Sequence, residues 1–149
     1  MRVQLGRRRL TDHELRSLVA SALLHLHDPA WLSINSPLVG LAEVQHRSAG
    51  SSKLFADGHA LAELLHHIAE GISARLEGGG KLATLRAIYA GICDGRSIAA
   101  IAREQGKTRE HFSRTYWRLA VQLLAAELAA VDAQRRVAYN GVRERKPTT

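Results

Sequence analysis

Four arginines and one lysine crowd a short stretch of this chain: Arg103, Lys107, Arg109, Arg114 and Arg118, with only Glu104 and Glu110 among them. A guanidinium is a rigid planar fork of donors that grips phosphate, carboxylate or the edge of guanine through paired bonds. Chemistry on a polyanion is therefore the first expectation. Covalent chemistry is not, because no nucleophile lies beside a base and no carboxylates are paired in a recognisable setting. The reading is a non-enzyme. Metal chemistry fares no better, since His25 and His27 are two apart and His66 and His67 adjacent, neither being the i,i+4 pair of a helical metal site. No cofactor is expected.

The cations need a scaffold, and the run "SIAAIAREQGKTREHFSRTYWRLA" from Ser97 to Ala120 describes one. A short helix with Ile98, Ile101 and Ala102 on its buried side meets the turn Gly106-Lys107-Thr108. Gly106 supplies left-handed backbone without steric cost, and Thr108 can cap the next helix. On that helix Phe112, Tyr116, Leu119 and Leu123 recur at core-facing intervals. Glu110, Ser113, Arg114 and Trp117 fall opposite, with Arg109 and Arg118 on the flanks. With Leu82, Leu85, Ile88, Tyr89 and Ile92 on a preceding helix, the whole is a tri-helical helix-turn-helix. Such a motif lays its second helix in the major groove of DNA, where Arg reads guanine and Ser and Glu add discrimination. Arg103, Lys107 and Thr108 complete the candidate set. Trp117 is the ambiguous member, facing either a partner or the amino-terminal helices.

The rest of the chain is helical by the same rules. "TDHE" at Thr11–Glu14 is a capping box, followed by a stripe of Leu15, Leu18, Val19, Ala22, Leu23 and Leu26 that Pro29 ends. "AWLSINSPLVGLAEV" reads as one or two short turns. From Asp57 a longer helix carries Leu61, Leu64, Leu65, Ile68, Ile72 and Leu76. "EGGGK" marks the clearest boundary; with no preceding strand and no Ser or Thr after the lysine, it is not a phosphate loop. No alternating strand pattern is present. The expected fold is all-α, a bundle of about five to six helices with a long last helix from Thr108 to about Ala133. Residues 10–80 form a support or partner module, 81–133 the helix-turn-helix module, and 134–149 a basic flexible tail. Val121, Leu124, Leu128 and Val131 give that last helix a second apolar side, which the amino-terminal helices or a second subunit must cover.

The charge is uneven. The 149 residues carry a formal +7, and residues 81–118 hold eight cations against three carboxylates, whereas residues 29–80 hold three against five. Only part of the chain is built to meet a polyanion. "GRRRL" at Gly6–Leu10 and "RVAYNGVRERK" near the end are basic arms, either touching phosphates beside the site or merely solubilising. The lone Cys93 excludes a disulfide framework and reads as an inert, buried thiol. No window approaches the roughly 20 apolar residues that span a bilayer, and no secretory leader is visible. The expectation is a cytoplasmic protein with no membrane partner.

The segment from Lys81 to Leu128 resembles the promoter-reading carboxy-terminal helix-turn-helix of bacterial sigma factors, on Ile101-Ala102, Gly106, Thr108, Phe112, Tyr116 and Arg118. The resemblance implies base-edge reading by Arg109, Glu110, Ser113 and Arg114, and phosphate contact by Arg118. Gln105 and Lys107 stand where the family is usually apolar, and residues 1–80 hold no sigma-type domain for promoter melting or polymerase binding. The expectation is thus a sigma-like reading module on a different helical partner: a bacterial-type transcription regulator of double-stranded DNA, compatible with a homodimer on a two-fold site. The rival is a protein–protein adaptor whose basic face docks an acidic partner, such as RNA polymerase or a larger regulator.

Overall fold

Among the described residues there are seven helices, counting the continuous helical rod from Arg109 to Glu144 as one. A computed structural model describes residues 3–5 and 8–144. In order they are α1 (Asp12–Leu23), α2 (Pro29–Asn35), a 3-10 turn (Pro37–Gly40), α3 (Ala42–Ser48), α4 (Ala56–Arg75), α5 (Lys81–Cys93), α6 (Ile98–Glu104), α7 (Arg109–Phe112), a π-helical turn (Ser113–Trp117) and α8 (Arg118–Glu144). The all-α bundle expected from the periodicity is the fold. α2, the 3-10 turn and the start of α3 occupy the segment where one or two short helical turns were expected.

α1 starts as its sequence dictates. Thr11 Oγ1 accepts from the Glu14 amide at 3.1 Å, and Glu14 accepts from the Thr11 amide at 3.3 Å, closing the capping box. Its end differs from the expectation. The helix stops at Leu23, a turn intervenes, and Pro29 opens α2 rather than terminating α1. Proline suits a first helical turn because its missing N–H has no partner there. Asp28 caps that turn, accepting from the Trp31 amide at 3.1 Å.

α4 is the spine, touched by α2, α3, α5 and α8. It crosses α2 very closely at Gly58, where an added Cβ would clash with the Pro29 carbonyl. The buried residues form one continuous cluster. Leu15 and Val19 of α1, Leu61 and Leu65 of α4, Leu85 and Ile88 of α5, and Leu124 and Leu128 of α8 all belong to it. The Gly78-Gly79-Gly80 break therefore separates two helices while the core runs across it.

Two expectations at the chain's ends are corrected. A short antiparallel pair, β1 (Gln4–Leu5) and β2 (Arg8–Arg9), stands where no strand was expected. It lets Val3 and Leu10 enter the core, with the Leu10 amide donating to the Val3 carbonyl at 2.7 Å. The last helix continues past Ala133 to Glu144 instead of yielding to a flexible tail at residue 134. Ion pairs hold the extension down. Arg135 Nε donates to Glu43 at 2.6 Å, and Arg136 Nε donates to Asp132 at 2.9 Å. Asp132 is fully buried, and its other oxygen accepts from the Ala42 amide at 3.0 Å, capping the start of α3. Arg136 also donates to the Gln4 carbonyl, locking the strand pair onto α8. Residues 145–149, which include the last two of the carboxy-terminal basic arm, and Gly6 and Arg7 of the amino-terminal arm lie outside the described residues.

Candidate nucleic-acid interface

The helix-turn-helix is assembled by local chemistry. Ser97 caps α6, accepting from the Ala100 amide at 3.1 Å. Ile101 and Ala102 are buried, and α5 approaches α6 through Gly91, where a Cβ would meet the Ile101 side chain at 2.7 Å. The turn closes by Gly106 N–H to Arg103 carbonyl and Lys107 N–H to Ala102 carbonyl, each 3.0 Å. Gly106 has φ +65°, the left-handed conformation its position demanded. Thr108 Oγ1 then accepts from the His111 amide at 3.3 Å and caps α7. Phe112 fills the core below.

Beyond Phe112 the expected stripe fails. The buried positions are Ala120, Val121, Leu124, Ala125, Leu128 and Ala129, while Tyr116, Leu119 and Leu123 are only half-buried. The cause is the π-helical turn at Ser113–Trp117. On an uninterrupted α-helix Phe112 and Ala120 would point roughly 80° apart. The wider turn absorbs one extra residue and returns them to a common face. The same slip carries Trp117 off the outer face and toward the core. Tyr116 ends beside the turn, with Lys107 Nζ 4.8 Å from its ring centroid.

The candidate residues divide accordingly. Arg103, Thr108, Arg109, Glu110, Arg114 and Arg118 are exposed; Lys107, Ser113 and Trp117 are half-buried. Arg114 pairs with Glu110 at 2.6 Å, one turn away, with both side chains largely in water. An exposed pair of this kind holds little energy, so a stronger anion can draw Arg114 off it. Arg96 is paired with Glu104. Among the described residues, no carboxylate pairs with Arg103, Lys107, Arg109 or Arg118. Arg103, Lys107 and Arg109 thus flank the start of α7 without a carboxylate partner, and Arg118 stands likewise at the start of α8.

A feature absent from the sequence reading lies beside them. The turn between α1 and α2 approaches the helix-turn-helix and leaves a cleft of about 620 Å³, which Arg109 and Trp117 line from one side. His27 fixes that turn in place, its Nε2 lying 3.2 Å from the Ile92 carbonyl and its ring against Gly95. His25 stacks on Trp31 with ring centroids 3.5 Å apart. Trp117 therefore faces the amino-terminal helices, while Arg114 stays open to solvent. No local signal marks this meeting, because residues 24–28 and 92–117 are joined only by the tertiary fold.

The other candidate chemistry is quiet. Cys93 is half-buried, and burial, with lesser contributions from Glu70 and Asp94, pushes its thiol up to about 11. A thiol held protonated is a poor nucleophile. Among the described residues no group of three or more His, Cys, Asp or Glu side chains could hold a metal ion, and no helix is long and apolar enough to cross a membrane. Compared with protein-family models, with curated proteins and with solved structures, the chain has no match.

Proposed function

We propose that this protein is a double-stranded DNA-binding transcription regulator of the sigma-like helix-turn-helix kind, with α7 as its reading helix. The observation that carries the reading is the set of uncompensated cations: Arg103, Lys107 and Arg109 around the Thr108-capped start of α7, and Arg118 further along the same helical rod, all on exposed or half-exposed positions. Phosphate is the ligand such a set attracts most strongly, and each phosphate neutralised releases condensed counterions. Arg109, Glu110 and Arg114 would read base edges, with Ser113 beside them, while Arg118, Arg103 and Lys107 hold the backbone. Trp117, turned toward the core, supports α7 more than it reads.

Random duplexes titrated at several salt concentrations test the proposal. With four to five phosphates contacted, log affinity should fall against log salt with a slope of about −3.5 to −4.5. A salt-insensitive response, or no binding at low salt, leaves the basic face to an acidic protein partner instead.

A further inference from the structure

The structure assigns a second site to this chain: the cleft between the α1–α2 turn and α7 takes a small aromatic carboxylate, whose presence competes with DNA for Arg109. At about 620 Å³ the cleft lies within the range that holds small organic ligands. Its walls are chiefly apolar, from Leu26, Ile92, Ile98 and Trp117. Leu24, on the rim, is 59% exposed, a large apolar side chain left in water beside a half-buried indole. A flat apolar body is what these surfaces would cover.

The charges decide the polar end of the ligand. The Asp28 carboxylate already accepts from the Trp31 amide, and Arg96 is bound to Glu104. His27 is engaged by the Ile92 carbonyl and His25 by the Ser21 carbonyl at 3.0 Å. Arg109 alone lines the cleft with its guanidinium uncommitted among the described residues. A single planar carboxylate satisfies that fork in a two-bond pair, and an aromatic ring attached to it lies against Trp117. The size of the cleft and its largely apolar walls suit a small organic body better than a free phosphate. Ligand binding stands on the cleft alone. The competition rests on the DNA reading above, since it requires Arg109 to serve both partners, and the resulting antagonism must be reciprocal.

The test uses the full chain and naphthoate as probe. In the absence of DNA, naphthoate should shift the Trp117 indole N–H resonance, assigned by its loss in Trp117→Phe, with half-saturation at or below about 1 mM. The uncharged naphthalenemethanol should bind at least about tenfold more weakly, and Arg109→Gln should cost naphthoate a similar factor while leaving the helical circular dichroism unchanged. No saturable shift at Trp117 overturns the site, as does equal binding of the neutral analogue or indifference to Arg109→Gln. Saturating naphthoate should then weaken binding to random duplexes several-fold. Unchanged duplex affinity with the cleft full overturns the competition. If no duplex binds at any salt, the DNA reading and the competition fall together, and the Trp117 titration still judges the site.

Discussion

The Tyr89 hydroxyl donates a 2.7 Å hydrogen bond to the Ala120 carbonyl, across a buried contact between α5 and the first turn of α8. This bond lies just beyond the π-helical turn, so it pins the helix where its register changes. It ties the first helix of the helix-turn-helix to the rod that carries the candidate interface. Burial also drives the Tyr89 phenol well above its ordinary value.

Tyr89→Phe should therefore lower stability by about 1 kcal/mol, or roughly 3 °C in Tm, by removing one buried hydrogen bond. The pH dependence has a definite sign. The folded-state pKa is raised, so the Tyr89 contribution is fully present below the unfolded value near 10 and is lost as pH rises beyond it. Denaturant melts of wild type and Tyr89→Phe between pH 8 and about 11 should show the wild type losing stability faster. Parallel curves would remove Tyr89 from the alkaline transition.

Two glycines of α4 should respond oppositely to the same substitution. Gly58→Ala places a methyl against the Pro29 backbone, which cannot yield without moving α2, and should cost about 3 kcal/mol or prevent folding. Gly71→Ala meets nothing within 4 Å and should stabilise by about 0.5–1 kcal/mol through helix propensity. Urea midpoints compare the two directly. Similar midpoints would contradict the close crossing of α2 and α4.

The carboxylate of Glu43 should govern part of the acid response. Burial pushes its pKa up, but hydrogen bonds and charge from Arg135 and Arg47 outweigh burial and leave it below the usual carboxylate range. The contribution is thus present above the unfolded value near 4.3 and lost as pH falls through the depressed folded value. Glu43→Gln should cost on the order of 2 kcal/mol at neutral pH and flatten the loss of stability below about pH 4.5. Equal acid slopes in the two proteins would place the acid response elsewhere.

At the proposed interface, Arg114→Ala and Arg118→Ala should separate reading from holding. The first should relax sequence preference at one position by about 1–3 kcal/mol, and the second should weaken all duplexes alike and reduce the salt slope by about 1. Selection from a random duplex pool with each variant measures both effects. Identical selected sequences for wild type and Arg114→Ala would remove Arg114 from base reading.

Much of the local structure was legible in the chain itself. The Thr11–Glu14 capping box, the Gly106 turn and the Thr108 cap each depend on residues within four positions of one another, and each forms as its residue types require. The basic run around Arg109 was equally plain, because charge is a property of residue type. Helical periodicity likewise determined the all-α class. Tertiary packing decided the rest. Whether Leu119 or Ala120 faces inward turns on one residue absorbed at the π-helical turn, a difference too small for residue types to register. Whether residues past Ala133 hold their helix depends on Glu43, some 90 positions away, reaching Arg135. The place of Trp117 depends on a turn between α1 and α2 that only the closed bundle brings near. Short-range hydrogen bonds and periodicity can be read along a chain; long-range contacts are selected by the free energy of the whole core, and they exist only once it has formed.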